Sequence, residues 1–367
     1  MPTRKPSNTS EAQFRMPAEW EPHAATWLAW PHYKLDWPGK FEPIPWVYAE
    51  IIRYLSRGER VEVIVKDAAA EKDARKVLKR AHALNDNVGF HRWPTNRVWT
   101  RDSGCAFVLP CGPDILVRHS GAQAAHSGGG WTGSTSQHSQ CQPPHPVAKS
   151  ATRVGQPSPL RHPKPQFARA GAPVPPQTDL AAIKWQFNAW AKYPNWQRDN
   201  KIGSLMAQAA GAHEIRATFK GKPVVLEGGS IDVNGCGTLI TTGECLLSKV
   251  QQRNPGMKRG DYEKVFAEYL GARNVIWLGS GVVGDDTHGH VDDITRFVSR
   301  DTVVTCVDAD PASENYEALR ENIRRLRDAT TEDGKSLATI DLPMPAPVYF
   351  EGRRLPASYA NFYIANA

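Results

Sequence analysis

The sequence of 367 residues has no run of eighteen apolar residues, the minimum that is typical of a transmembrane helix. Its first fifteen residues are polar, contain two prolines and lack an apolar centre, so they do not resemble a signal peptide. The six cysteines form no Cys-x-x-Cys pair and show no framework spacing. Because disulfides are rare in reducing compartments, these absences predict a cytoplasmic protein with reduced thiols and no membrane partner.

Acidic residues are missing from residues 115–178, although this segment holds six Lys and Arg residues. It therefore carries +6 of the net charge of +7, and the rest of the chain is nearly neutral. A nucleic-acid-binding face requires Lys and Arg gathered on an ordered surface. Six cations scattered along a segment rich in Gly, Ser and Pro do not provide one, so no nucleic-acid partner is expected.

The same region, 110–178, has only Trp131 and Phe167 as aromatic residues. A segment with so little apolar surface to bury cannot offset the entropy lost on ordering, which predicts a disordered, low-complexity insert. Strand-like and helix-like patterns border it on both sides. The predicted organisation is a disordered N-terminus at 1–15 and a single domain at 16–367, which the insert at 110–178 interrupts.

Outside that insert, helical and strand patterns alternate, which predicts an α/β fold. The predicted helices are 45–56, 69–84, 196–212, 261–271 and 311–330, and each is followed by a predicted strand, at 61–65, 88–93, 213–217, 274–278 and 337–342. Polar clusters recur at a similar distance after three of the predicted helices. The intervals are 18, 15 and 19 residues, from Leu84 to Asp102, from Ala212 to Glu227 and from Gly271 to His290. Repeated units with polar groups at equivalent positions are expected to surround a common axis, near which those groups converge.

The densest polar cluster, residues 285–293, contains four carboxylates and two imidazoles. In one interpretation His290 is a general acid or base, and Asp292, on the same side of an extended chain, holds a cationic group. In a second, His288 and His290 form a metal site that Asp292 or Asp293 completes. In a third, the segment is a solvated loop with capping aspartates.

Two further carboxylates are followed closely by glycine. Glu227 ends an apolar run before a Gly-Gly pair, so it is either a buried group partnered by His290 or an exposed turn residue. Asp102 follows Trp99 and Arg101, and it either binds a cation or forms a structural pair with Arg101. Carboxylates beside an aromatic ring suit a planar cation, because a guanidinium offers five donors and stacks on π faces.

Longer motifs extend these observations beyond single residues. They are MPAEWEPHAATWLAWP at 16–31, NRVWTRDSG at 96–104, WQFNAWAKYPNW at 185–196, VVLEGGSIDVNGCGTLITTGECLLSKVQQRNP at 224–255, VIWLGSGVVGDDTHGHVDDITRFV at 275–298 and RLPASYANFYIAN at 354–366. In these motifs the chain resembles the agmatine deiminases, which are grouped with the bacterial-type peptidylarginine deiminases in the guanidino-modifying superfamily. The resemblance implies the pentein fold, a five-bladed α/β propeller of pseudo-repeated units, with the last unit incomplete.

The resemblance also implies roles for the clustered residues. Asp102 and Asp292 would hold the guanidinium nitrogens, and Glu227 would assist beside the histidine. His290 would protonate the leaving ammonia and then activate water. These are roles carried over from the family, position by position.

The implied reaction hydrolyses agmatine to N-carbamoylputrescine and ammonia, a step of putrescine biosynthesis. It needs neither a metal nor an organic cofactor. Trp99 and Asn361 are expected to contact the substrate. The family further suggests a homodimer.

The resemblance also implies a nucleophilic cysteine in the active site. In the family it belongs to a His-Cys-Thr-Gln-Gln-like run, and its thiolate attacks the guanidinium carbon to form a thiouronium intermediate. The sequence contains no such run, and Cys245 and Cys306 lie in segments typical of core residues. We therefore expect a C-terminally truncated deiminase without covalent activity. The alternatives are a peptidylarginine deiminase, a metal-dependent hydrolase built on His288 and His290, and a non-catalytic remnant.

Overall fold

Short strands and helices alternate in the computed structural model, which describes residues 14–111 and 180–366. The helices are α1 (Ile44–Leu55), α2 (Ala68–Arg80), α3 (Thr100–Ser103), α4 (Ile202–Ala209), α5 (Gly243–Leu247), α6 (Arg259–Leu270) and α7 (Tyr316–Arg327). The strands are β1 (Phe14–Arg15), β2 (Ala25–Ala29), β3 (Arg60–Val65), β4 (Val88–Arg92), β5 (Ala106–Pro110), β6 (Ala181–Lys184), β7 (His213–Arg216), β8 (Thr218–Phe219), β9 (Lys222–Pro223), β10 (Ile231–Val233), β11 (Thr238–Thr242), β12 (Asn274–Leu278), β13 (Thr295–Ser299), β14 (Thr302–Val307), β15 (Ala338–Pro343), β16 (Tyr349–Phe350) and β17 (Arg353–Arg354). The predicted α/β class is confirmed.

Three of the sheets follow one plan. In each, two antiparallel strands are followed by a helix and by a third strand that pairs parallel to the second. The three sets are β5, β6, α4 and β7; β10, β11, α6 and β12; and β13, β14, α7 and β15. A parallel return needs a crossover connection, and a helix supplies it. The pseudo-repeated units predicted from the sequence are therefore present.

The sheet β2–β3–β4 differs, because its strands are all parallel and α1 and α2 form the crossovers. Strand β3 reads RVEVIV and buries every residue after Arg60, as expected of a parallel strand covered on both faces. Helix α1 packs on this sheet through Ala49, Ile52 and Leu55, which recur at helical spacing. Among the described residues, no strand pairs with the outer edge of β2.

Two helix ends illustrate the local signals. The carboxylate of Asp67 accepts a hydrogen bond of 2.8 Å from the backbone N–H of Ala70 and so caps the start of α2. Helix α6 stops at Gly271, whose φ of 69° is in the left-handed region that glycine adopts without strain. These ends fix the points at which the chain leaves each helix for the following strand.

Two predicted boundaries are wrong by a small margin. Phe14 and Arg15 pair with Pro110 and Leu109, so the segment predicted as disordered at 1–15 extends too far. Pro110 ends β5, so the insert predicted at 110–178 begins too early. The rest of both predictions falls on 1–13 and 112–178, outside the described residues. In the part of the chain that is described, no helix combines the length and apolarity needed to cross a membrane.

The polar clusters lie in or immediately before short helical turns, each of which precedes the first strand of a hairpin. Helix α3 precedes β5, the 3-10 helix Gly228–Ser230 precedes β10, and the 3-10 helix Val291–Asp293 precedes β13. The middle turn contacts both of the others. Because three units present these turns to one another, Asp102, Glu227 and His290 meet.

Candidate active site

Asp102 lies in α3, and its carboxylate is held by donors from two other segments. Nε1 of Trp190 donates to Oδ2 at 3.0 Å, and the backbone N–H of Gly229 donates to Oδ1 at 3.0 Å. Trp190 reaches this position from a short turn in which its φ is 58°, an uncommon value for a residue with a side chain. Hydrogen bonds to both carboxylate oxygens therefore fix the orientation of Asp102.

Glu227 is fully buried and forms an ion pair with Arg253, whose side chain is also fully buried. Nε of Arg253 donates to Oε1 of Glu227 at 3.1 Å. The backbone carbonyls of Gln251 and Thr287 accept from the other guanidinium nitrogens. Burial favours the neutral acid, but the charges and hydrogen bonds of Arg253 and His290 together outweigh it and lower the pKa of Glu227. Glu227 is therefore a carboxylate at neutral pH.

The Gly-Gly pair after Glu227 is required by close packing. A Cβ at Gly228 would lie 2.3 Å from the backbone oxygen of Arg101. A Cβ at Gly229 would lie 2.4 Å from Nδ1 of His290. Real Cβ atoms do not approach other atoms so closely, so only glycine allows these turns to meet.

His290 and Asp292 do not lie on an extended chain, contrary to the prediction. The chain is extended at His290 and then enters the 3-10 helix Val291–Asp293. The two side chains are nevertheless neighbours, with 3.8 Å between Nδ1 of His290 and Oδ1 of Asp292. On its other side, Nε2 of His290 lies 3.9 Å from Oε2 of Glu227. The imidazole thus lies between two carboxylates.

The loop before His290 is fixed by Asp285. Its carboxylate accepts hydrogen bonds from the backbone N–H groups of Thr287 at 2.7 Å, Gly289 at 2.6 Å and His290 at 3.1 Å. Asp286 points elsewhere and contacts Lys192 and Tyr193 at the surface. The acidic cluster therefore divides into loop-holding, surface and site carboxylates.

The two histidines of the cluster have separate partners. Nε2 of His288 lies 3.1 Å from Oγ of Ser248, and its Nδ1 lies 3.7 Å from the carboxylate of Glu244. In the described ranges, the group of three donors that could share a metal ion is Glu227, Cys245 and His290, whose ligand atoms lie within 4.8 Å of one another. The arrangement of His288 with His290 that the metal-hydrolase interpretation requires is not the one observed.

The charges of the site act on one another strongly. Burial alone would lower the pKa of His290, but the negative charges of Asp102, Asp292 and Glu227 raise it to about 10. Burial raises the pKa of Asp292 to about 6, although the positive charge of His290 opposes the rise. At neutral pH the site therefore holds an imidazolium among three carboxylates.

Three atoms of the cluster are buried without a hydrogen-bond partner among the described residues. They are Oε2 of Glu227, Nε2 of His290 and Oδ1 of Asp292. An unsatisfied buried polar atom costs about 1–3 kcal/mol. Such a cluster suits a ligand whose donors reach the two carboxylate oxygens and which offers an acceptor to Nε2 of His290.

Trp99 and Asn361 were predicted to join the substrate site, and the structure places both at its margin. Trp99 is 42% exposed, and its ring centroid lies 5.9 Å from that of Trp37. Nδ2 of Asn361 donates to Oδ1 of Asp293 at 2.9 Å. The backbone carbonyl of Trp99 accepts from the backbone N–H of Asp102 at 3.2 Å. Within the described ranges, the side chains of Trp99 and Asn361 make no hydrogen bond or ion pair with the four clustered charged side chains.

Sequence reasoning missed Trp190 and Arg253, which hold Asp102 and Glu227 in place. Both residues fall inside the family motifs, at 185–196 and 224–255, but no local pattern distinguishes them from other core or surface residues. Cys245 was predicted to be a core residue, and it is buried within an apolar cluster. Its proximity to Glu227 and His290 depends on tertiary contacts.

Comparisons with known proteins relate this chain to one family of deiminases. The family model described as Porphyromonas-type peptidyl-arginine deiminase matches residues 15–153 and 160–367. Agmatine deiminase of Pseudomonas aeruginosa (strain LESB58) is 27% identical over 385 residues, which cover 98% of this chain and 84% of that protein.

Two solved structures share the fold. One is agmatine deiminase of Enterococcus faecalis, at a TM-score of 0.70 and 24% identity, covering 96% of this chain and 82% of that one. The other is an agmatine deiminase of C. jejuni with substrate bound, at a TM-score of 0.68 and 24% identity, covering 96% and 80%. The pentein fold implied by the resemblance is confirmed.

Proposed function

This chain belongs to the Porphyromonas-type peptidyl-arginine deiminase family, and from that membership we propose that its site binds the guanidinium group of agmatine. The family chemistry is hydrolysis of a C–N bond. For agmatine the products are N-carbamoylputrescine and ammonia, which would place the reaction in putrescine biosynthesis. The P. aeruginosa relative is an agmatine deiminase, which supports this substrate.

The convergence of Asp102, Glu227 and Asp292 around one imidazole carries the proposal. A guanidinium is planar and donates in a fixed fork, so it is best bound by several carboxylates at once. Asp102 is oriented by Trp190, and Glu227 is oriented by Arg253. These carboxylates are pre-positioned, so a cation that enters the site requires little rearrangement.

His290 is the proton donor in this proposal. With a pKa of about 10 it carries a proton at neutral pH, and its Nε2 has no hydrogen-bond partner among the described residues. A protonated imidazole beside a leaving amine can transfer that proton and become a base for water.

The thiol step lacks its family group in this sequence, which contains no His-Cys-Thr-Gln-Gln-like run. Among the described residues, Cys245 lies beside Glu227 and His290, but burial raises its pKa well above the ordinary value, which disfavours the reactive thiolate. We propose that this chain binds agmatine and releases no ammonia from it. A His-Cys-Thr-Gln-Gln-like run of the family type would have to supply the nucleophile.

A calorimetric ligand panel tests the proposal. Agmatine is expected to bind, and N-carbamoylputrescine is expected to bind at least about tenfold more weakly, because its ureido group is neutral and loses charge-assisted hydrogen bonds. Equal affinity for the two ligands would contradict a guanidinium site. A peptidyl-arginine ligand that bound better than agmatine would instead favour peptidylarginine as the substrate.

An ammonia assay on the same preparation tests the statement about the thiol. Release at the background rate is expected while agmatine binds. Steady turnover of agmatine by this chain would contradict that statement. It would also require that one of the chain's own cysteines act as the nucleophile.

A further inference from the structure

Glu227, Cys245 and His290 come from three different segments and meet in the interior. We infer that these three side chains form a binding site for a thiophilic divalent cation, of which Zn²⁺ is the best match. The inference extends the proposed function in one respect, because bound zinc would exclude the guanidinium from Glu227 and His290. Zinc would then be an inhibitor of this site and not a cofactor.

The donor set has the composition that zinc prefers, with one thiolate sulfur, one imidazole nitrogen and one carboxylate oxygen. The three ligand atoms lie within 4.8 Å of one another, and Nε2 of His290 is 3.9 Å from Oε2 of Glu227. Tetrahedral zinc with bonds of about 2.0–2.3 Å holds its ligand atoms about 3.3–3.6 Å apart. The side chains therefore need to move by less than about 1 Å.

Two of the three proposed ligand atoms are left without a hydrogen bond by the described residues. Oε2 of Glu227 and Nε2 of His290 are buried without hydrogen-bond partners in the described ranges. The second carboxylate oxygen of Glu227 and the second ring nitrogen of His290 have neighbours of their own. Oε1 of Glu227 accepts from Arg253 at 3.1 Å, and Nδ1 of His290 faces Asp292 at 3.8 Å. A carboxylate behind a histidine is the usual outer partner of a zinc ligand.

The position of Cys245 is also fixed. It lies in the first turn of α5, where Oγ1 of Thr242 accepts from its backbone N–H at 3.1 Å. When zinc binds, the lone pairs of the sulfur and of Nε2 form bonds to the metal. The thiol proton and the imidazolium proton leave to solvent. Asp102 and Asp292, which stabilise the imidazolium in the free protein, then stabilise the cation in its place.

The experiment uses the full chain after chelator treatment, in a background that removes the other thiols that could bind metal. In that background Cys105, Cys111, Cys141 and Cys236 are changed to serine. Cys245→Ser deletes the proposed ligand, and Cys306→Ser is the matched control, since Cys306 is equally buried but lies in β14. Zn²⁺ is titrated by calorimetry, and Co²⁺ is used as a spectroscopic probe of thiolate ligation.

One Zn²⁺ per chain and a thiolate-to-cobalt absorption band are expected in the background and in Cys306→Ser. In Cys245→Ser the band should vanish and the zinc affinity should fall at least about tenfold. An unchanged affinity in Cys245→Ser, or no band in the background protein, would overturn the inference. If Cys245→Ser fails to fold, X-ray absorption of the zinc-loaded background protein decides, because a zinc shell without sulfur would overturn it as well.

Agmatine titrations with chelator and with zinc separate this inference from the proposed function. Agmatine binding that zinc suppresses is the expected result. Agmatine binding together with no zinc binding overturns the metal site and leaves the proposed function intact. Zinc binding together with no agmatine binding in chelator overturns the proposed function and leaves the metal site.

Discussion

A Cβ added to Gly229 would lie 2.4 Å from Nδ1 of His290 and 2.9 Å from Oδ2 of Asp292. Gly229 also donates its backbone N–H to Asp102. One residue without a side chain therefore joins the three turns that carry the charged groups.

Gly229→Ala should displace His290 or Asp292 and lower the affinity for agmatine at least about tenfold, because a methyl group cannot fit in that gap. Calorimetric titration measures the loss. Gly260→Ala in α6 is the matched control, since nothing lies within 4 Å of the added Cβ and the affinity should not change. Normal agmatine binding by Gly229→Ala would show that the three turns do not form the ligand site.

Trp190→Phe removes the indole N–H that donates to Asp102 but keeps most of the ring volume. The buried carboxylate then loses one of its two donors, and the free energy of unfolding should fall by about 1–3 kcal/mol. Urea denaturation measures this change. Trp46→Phe, at a ring that is 41% exposed, is the control. Its free energy of unfolding should differ from that of the unmodified protein by less than about 0.5 kcal/mol.

Arg253→Met should destabilise the protein by about 3–5 kcal/mol, because it leaves the carboxylate of Glu227 buried without its ion-pair partner. The double variant Arg253→Met with Glu227→Leu should recover much of this loss. Arg216→Met breaks an ion pair in which the Arg216 side chain is 80% exposed, and it should cost less than about 1 kcal/mol. Equal effects of the two Arg→Met changes on unfolding would contradict the buried pair.

The raised pKa of His290 predicts a pH-dependent stability. Its pKa is about 10 in the folded protein and 6.5 as the ordinary value, so the folded state binds the proton more tightly than the unfolded state. The resulting stabilisation is full below about pH 6.5 and is lost as the pH rises toward about 10. Urea denaturation should show the stability of the protein falling over this range relative to that of His290→Gln. A constant difference between the two proteins would contradict a raised pKa.

Helix α1 exposes an apolar stripe beside the outer edge of β2, with which no described strand pairs. Val47, Ile51 and Tyr54 are 50%, 40% and 52% exposed, and the last two line a groove of about 1030 Å³ along β2. Exposed apolar surface next to an unpaired strand edge favours self-association. Ile51→Lys should reduce association in sedimentation velocity with little loss of stability. Val250→Lys, at an exposed site outside the stripe, should leave association unchanged.

Much of the fold could be predicted because periodicity reports burial directly. The strand predicted at 274–278 is β12 without change, and the helix predicted at 45–56 differs from α1 by one residue at each end. The helix predicted at 196–212 was wrong at its start. There, Asp199 accepts hydrogen bonds from the backbone N–H groups of Asn96 and Arg97, which places it in a separate 3-10 turn. No local pattern reports such a distant contact.

The charged residues of the site were visible in the sequence because carboxylates and histidines beside glycines are unusual near apolar strands. Their supporting residues were not visible. Trp190 and Arg253 act through contacts that span 88 and 26 residues. A buried tryptophan or arginine has no periodic signal of its own, so the partners of Asp102 and Glu227 emerge only when the units are assembled.

The most direct measurement is an agmatine titration of the unmodified protein and of Asp102→Asn, with Asp73→Asn as the control at an exposed position of α2. Removal of one carboxylate charge from the site should weaken agmatine binding at least about tenfold, while Asp73→Asn should bind as the unmodified protein does. If Asp102→Asn binds agmatine with unchanged affinity, the cluster of Asp102, Glu227, His290 and Asp292 is not the guanidinium site.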